Sequence, residues 1–274
     1  MIRCSAARRE LGTTRRTSSK AATRCWAALI RCGLEVDRGD RGCLPLSAAG
    51  ADFQIILKSQ SSLACREGVW NDSIMRRVVV SNMVSVDGFY AASDGNPLVL
   101  NMDEAFDKYN CTRIETADIV LLGRKSFEGF SSYWPGIATA PEDPGNRAVS
   151  EENRRVSRAY NTLPKVVVSD TFTVPAGNAW RSTTSVIPGW ELPEWIRARR
   201  REGEGDILIF ASRNLWNSML DPGLVDEIHL MVGPDALAEG ISVFMRPAAL
   251  ALLDIEQFSG SSNVLLRYQL RRKH

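Results

Sequence analysis

Histidine is almost missing from this chain of 274 residues: there are two, His229 and His274. A Ser-His-Asp triad would have to use His229, which falls in the middle of an apolar run, where a histidine ordinarily packs or faces solvent. No G-x-S-x-G elbow, Walker loop or strand-linked G-x-G-x-x-G is present. The H-x-E and P-C-x-x-C pair of a zinc deaminase is missing too. Cysteine is scarce and lopsided. Five of the six, Cys4, Cys25, Cys32, Cys43 and Cys65, precede residue 75 without a CxxC pair, and only Cys111 follows. That spacing supports neither a disulfide framework nor a zinc site, so no metal is expected. Apolar runs are short: "WAALI" and "FQIIL" fall far below the ~20 residues a membrane-spanning helix needs, so no membrane partner is expected.

Charge divides the chain. Residues 1–74 carry 12 of the 34 Lys/Arg and 7 of the 32 Asp/Glu, leaving 22 bases and 25 acids for 75–274. The larger part has no basic excess, which argues against a nucleic-acid partner. The first 33 residues are rich in Arg, Ser, Thr and Ala with Glu10 their only acid. This composition fits a transit-like segment, and equally a translated leader ahead of a true start at Met75. Residues 1–74 are therefore expected to be a largely disordered leader and 75–274 the working domain. The expected location is cytoplasmic, or mitochondrial if the leader is real and the source eukaryotic.

From Met75 onward, apolar runs alternate with helical patterns. Strands are expected at 76–86, 118–122, 165–169, 179–186, 206–210 and 225–232, and a closing hairpin at 250–258 and 264–272. Helices are expected around 102–115, 125–131, 150–160, 192–203 and 212–223, with loops at 87–97 and 133–146. Such alternation implies one α/β domain with a mainly parallel sheet, helices on both faces and an antiparallel C-terminal hairpin. Ligands of open α/β sheets bind at the carboxyl ends of the strands, which here are Gly123–Ser126, Ser169–Asp170 and Ala211–Asn214. In "LLGRKSFEGF" the strand passes directly into a helix. Arg124 can fork two bonds onto a phosphate, Lys125 adds a point charge, and Ser126 offers a hydroxyl in the first turn. The same letters also describe an ordinary strand-to-helix turn.

Four motifs in order carry a resemblance. "SVDGFYA" (85–91), "ADIVLLGRKSFEGFSSYWP" (117–135), "LPKVVVSDTF" (163–172) and "GLVDEIHLMVGP" (223–234) resemble the dihydrofolate reductase superfamily. They are most similar to stand-alone relatives of the reductase domain of the bifunctional riboflavin-biosynthesis deaminase/reductase. The resemblance implies a dihydrofolate reductase-like mixed sheet of about eight strands and a cytoplasmic reductase using NADPH, with NADH as the alternative. The substrate would be a planar nitrogen heterocycle, as for 5-amino-6-(5-phosphoribosylamino)uracil reductase, and a homodimer would be in keeping. It places Gly123, Arg124, Lys125 and Ser126 at the cofactor phosphates, Ser169 at the adenosine ribose, and Ser85, Asp87 and Gly88 at the nicotinamide. Asp87 is the one candidate proton source, with an Asp-Gly turn cap as its plainer reading; Phe89 and Phe106 are the candidate substrate contacts, a core position being the plainer reading of Phe106.

Three departures accompany the resemblance. The strand at 206–210 runs into Ala211-Ser212-Arg213-Asn214 where relatives carry a glycine pair or Gly-Ser, so a Cβ approaches the diphosphate. Asp170 stands where a cation would hold a 2′-phosphate. Leu237-Ala238-Glu239-Gly240 replaces a glycine-richer loop. A degenerate, nucleotide-binding member of the fold and a true dihydrofolate reductase are the alternative expectations.

Overall fold

The computed structural model describes residues 75–271. The expectations for residues 1–74, for Arg272 and for His274 lie outside the described residues. Ten strands form: β1 Val78–Val84, β2 Phe89–Ala91, β3 Ala117–Gly123, β4 Lys165–Val168, β5 Thr184–Ile187, β6 Asp206–Phe210, β7 Glu227–Val232, β8 Ile241–Ser242, β9 Leu250–Gln257 and β10 Val264–Leu270. The helices are α1 Glu104–Glu115, α2 Arg124–Ile137, α3 Glu151–Thr162, α4 Leu192–Arg199 and α5 Arg213–Ser218. Eight strands make one sheet in the order β5-β4-β3-β6-β1-β7-β10-β9. The first six in that order run parallel, and β10 pairs antiparallel with both β7 and β9. This is the mixed, mainly parallel sheet of eight strands with an antiparallel C-terminal hairpin that the motifs implied.

The parallel strands are apolar on both faces because both faces are covered. On β1, Val78, Val80 and Val84 pack with Leu192 and Ile196 of α4 and Leu215 and Trp216 of α5. Val79 faces the other way, toward Ile114 of α1, Phe127 of α2 and Val156 and Tyr160 of α3. Helix starts follow ordinary capping chemistry: Asp103 accepts from the Phe106 N–H at 3.2 Å and Ser150 from the Asn153 N–H at 3.3 Å.

Several expected boundaries are corrected. The 87–97 segment contains β2, which pairs with β8 in a separate two-stranded ribbon. The expected strand at 179–186 begins with a 3-10 turn at Arg181–Thr183. The expected helix at 212–223 is confined to α5. The largest correction is α2, expected to end near residue 131 but running on through Pro135 to Ile137. Proline costs a helix its N–H and crowds the preceding turn. The last-turn carbonyls, which have no donor within the helix, are taken up by α3: the Ser157 hydroxyl donates to the Trp134 carbonyl at 2.6 Å and the Asn161 amide to the Pro135 carbonyl at 3.2 Å.

His229 packs, as its place in mid-strand suggested. Its Nε2 lies 2.9 Å from Glu227 and its Nδ1 2.5 Å from the Tyr109 hydroxyl. A carboxylate only accepts, so the ring carries its proton on Nε2 and Nδ1 accepts from Tyr109. Burial holds His229 below the ordinary histidine value, the Glu227 carboxylate opposing, and pushes Tyr109 up to about 12. The stability from a neutral buried histidine is complete above its unfolded value and is lost as pH falls below that value toward the lower folded one. Tyr109→Phe strips Nδ1 of its donor, and urea unfolding at mildly alkaline pH should show a loss of about 1–3 kcal/mol.

Candidate functional site

Two strand ends are tied together at the carboxyl edge of the sheet. The Gly123 N–H donates to Ser212 Oγ at 3.1 Å, and the Ser212 N–H donates to Ser126 Oγ at 3.0 Å. The turn that leaves β3 is thus latched to the turn that leaves β6. The N-cap of α2 is Gly123, which has no side chain to satisfy the first N–H groups of that helix. Those donors and the positive end of a 14-residue helix suit a phosphate. Arg124 and Lys125 are exposed beside them. Arg124 donates to Glu128 at 2.9 Å, and its guanidinium lies 5.5 Å from the centre of the Phe172 ring.

The next strand end lies alongside. Ser169 donates its N–H to the Ile187 carbonyl, and the Asp170 carboxylate accepts from the Gly189 N–H at 2.8 Å. Ala211 and Ser212 both hold left-handed backbone, at φ 50° and 49°. A residue with a Cβ pays for that conformation, which glycine adopts freely. Arg213 does not cross toward the latch. Its guanidinium donates to the Ser242 carbonyl of β8 and to Asn214 Oδ1.

Ser85, Asp87 and Gly88 form a self-contained turn. Ser85 Oγ donates to Asp87 at 2.5 Å and accepts from the Phe89 N–H at 2.8 Å, while Gly88 takes φ 86°. Asp87 also accepts from the N–H groups of Leu237 and Ala238, at 3.2 and 2.8 Å. The Ser85 hydroxyl, helped by those backbone donors, holds the Asp87 carboxyl below the ordinary range. An exposed carboxylate so engaged works as a clasp between two loops and is poorly suited to donate a proton.

A cavity of about 530 Å³ opens beside β1 and the turn after β6. Its wall includes Phe106, as expected. Phe89 is not part of that wall; its neighbour Tyr90 is. The aromatic side is built by helix packing: Tyr160 stacks between Trp134 and Trp180, with ring centres 5.5 and 5.2 Å apart. The segment joining α2 to α3 forms another side, pinned by Arg154, which donates to the carbonyls of Ile137, Ala138, Pro141 and Val149.

That segment delivers Arg147 to a residue the sequence reading passed over, Asp107 of α1. The Asp107 side chain is 8% exposed and lines the cavity, with Arg147 Nε 3.2 Å from Oδ2. The contact is off the hydrogen-bonding direction, and Oδ2 has no hydrogen-bond donor among the described residues. Burial pushes the Asp107 carboxyl up to about 6, against the pull of Arg147 and the Asn153 amide. Asn82 of β1 also lines the cavity, and its amide nitrogen is buried without an acceptor among the described residues. Its only sequence signal was a polar residue inside a buried strand, "VVVSNMV".

Ala211 belongs to both features: it lines the cavity and adjoins the latched Ser212. Ala211 thus stands between the phosphate-suited turns and the open cavity.

The geometry agrees with what the chain is similar to. Its fold is shared with a putative riboflavin biosynthesis protein from Shewanella sp. PV-4, at 19% identity and a TM-score of 0.51 over 72% of this chain and 99% of that one. It is shared also with Acinetobacter baumannii RibD, at 16% identity and a TM-score of 0.53 over 72% of this chain and 59% of that longer one. The Bacillus subtilis (strain 168) protein YyaP, itself uncharacterised, is 25% identical over 177 residues, spanning 64% of this chain and 84% of YyaP. Residues 76–259 match the family described as the RibD C-terminal domain, and the chain belongs to that family.

Proposed function

We propose that residues 75–271 act as a nicotinamide-dependent reductase, NADPH favoured, that reduces a planar nitrogen heterocycle by hydride transfer. The observation that carries this reading is the position of Ala211, which lines the cavity and adjoins the latched, phosphate-suited turns. In this reading the N–H groups opening α2, with Arg124, Lys125 and Ser126, hold the phosphates, and Ser169 borders the ribose. Asp170 brings a negative charge to that end and weakens the preference for a 2′-phosphate, which leaves NADH in play. Bound nicotinamide supplies the hydride. The protein supplies position and a proton. Asp107 takes the proton-donating role that the sequence suggested for Asp87. With its carboxyl near 6, a useful fraction is protonated close to neutrality, and the half-exposed Arg147 side marks a route for reprotonation from solvent. The riboflavin-pathway reductases perform this class of reaction, and the proposal takes from them the hydride transfer to a ring, not their substrate.

A second reading is favoured by one observation, the Cβ of Ala211 at φ 50°. A degenerate member would bind a nucleotide there without turnover.

Three outcomes are expected. Titration with NADPH and with NADH, followed by nicotinamide fluorescence, should show saturable binding; no binding of either at millimolar concentration would sink the reductase reading. Ala211→Gly should relieve backbone strain, with a gain of up to about 1 kcal/mol in thermal or urea unfolding, and should tighten the cofactor. Unchanged affinity would remove crowding as the reason for weak binding. Asp107→Asn should lower kcat by about a hundredfold or more if the carboxyl donates the proton. Because the folded value of Asp107 is raised, its charged form destabilises the fold, and that penalty fades as pH drops from about 6 toward 3.8. The same variant should therefore be more stable than the parent at mildly alkaline pH, by about 1–3 kcal/mol, with the difference vanishing in acid.

A further inference from the structure

Two buried polar atoms of the cavity wall lack a hydrogen-bond partner among the described residues: the Asn82 amide nitrogen, on a residue 5% exposed, and Asp107 Oδ2, which Arg147 Nε approaches at 3.2 Å outside hydrogen-bonding geometry. Leaving such atoms unpaired is costly, and a bound molecule that pairs them recovers that cost. Asn82 asks for a carbonyl-type acceptor. Asp107 asks for an N–H or O–H donor. Much of the remaining wall is apolar and aromatic, including Met83, Phe106, Phe130, Trp134 and Phe210. At the mouth the surface stays apolar, with Leu98 77% and Tyr133 47% exposed.

Cations are the scarce component. Among the described residues lining the cavity, Arg147 is the only Lys or Arg, and it faces Asp107. A phosphate on the substrate would have to draw Arg147 away and would leave the Asp107 carboxylate buried with no cation. A dianion brought near an ionised Asp107 would also be repelled through a wall of low polarity. Arg124 and Lys125 are not part of the cavity wall; they stand at the groove.

We infer that the substrate is a flat, unphosphorylated ring presenting a carbonyl acceptor to Asn82 and an N–H or O–H donor to Asp107, with an uncharged substituent leaving past Leu98 and Tyr133. Calling this molecule the substrate rests on the reductase reading; the ligand preference of the cavity can be measured without any cofactor.

Riboflavin and FMN make a matched pair of probes, the same ring and ribityl chain without and with a phosphate. Each is titrated against the full chain, with flavin fluorescence as the readout and no nicotinamide present. Riboflavin should bind more tightly than FMN by about tenfold or more, and Asp107→Asn, which frees Arg147 for a phosphate, should narrow that gap. Equal or tighter binding of FMN by the parent protein, or no binding of either flavin at millimolar concentration, would overturn the inference. The nicotinamide titration is separate. A chain that prefers riboflavin but binds no nicotinamide keeps this ligand class and loses the reductase reading. A chain that binds nicotinamide but prefers FMN keeps the reductase reading and loses this one.

Discussion

Two hydrogen bonds exchanged between neighbouring strand ends hold the site in shape. Gly123 donates to the Ser212 hydroxyl and Ser212 donates back to the Ser126 hydroxyl. The exchange requires Ser212 to turn its N–H toward α2, and the chain achieves this by taking left-handed backbone at both Ala211 and Ser212. Strain in two residues, on the order of 1–3 kcal/mol each, is tolerated because the flanking strands and α5 are packed into the core. The consequence is a fixed separation between the groove at the start of α2 and the cavity beyond Ala211. The proposed reductase would use that arrangement: cations and helix dipole on one side for phosphates, a largely apolar, polar-edged pocket on the other for the ring.

The cavity depends on a different kind of tension. Asp107 is buried among aromatic rings, with Arg147 alongside but poorly aligned. A fully ionised, well-paired carboxylate would be a structural ion pair and chemically inert. A carboxyl raised to about 6 is neither fully charged nor fully neutral near physiological pH, which is the condition for passing a proton. The fold maintains that state with scaffolding remote from Asp107: Arg154 pins the segment that carries Arg147, and the Trp134–Tyr160–Trp180 stack supports the aromatic side.

Much of this architecture was legible in the letters. Runs such as "VVVSNMV" and "DILIF" read as strands buried on both faces, and "LLGRKS" reads as a strand end beside a helix start. What escaped has physical reasons. The β2–β8 ribbon consists of three and two residues from segments some 150 positions apart, too short for any periodicity. The extended end of α2 has its last carbonyls taken up by Ser157 and Asn161 of another helix, and nothing near Pro135 announces them. Asp107 carried no signal of its own, because acids near the start of a helix suit the dipole wherever it packs. It became a buried group because α3 and the segment before it cover that side of α1. Asp87, which follows directly from an expected motif, proved to be occupied in joining two loops.

The central claim is the division of labour across Ala211. Crystallography of the chain with a bound nicotinamide cofactor tests it most directly. The account predicts the diphosphate on the turns at 123–126 and 211–212, with the nicotinamide ring at Ala211 facing into the cavity and leaving Asn82 and Asp107 free for a second molecule. A cofactor whose phosphates lie elsewhere, or whose nicotinamide fills the cavity and takes Asn82 and Asp107 for itself, would contradict it.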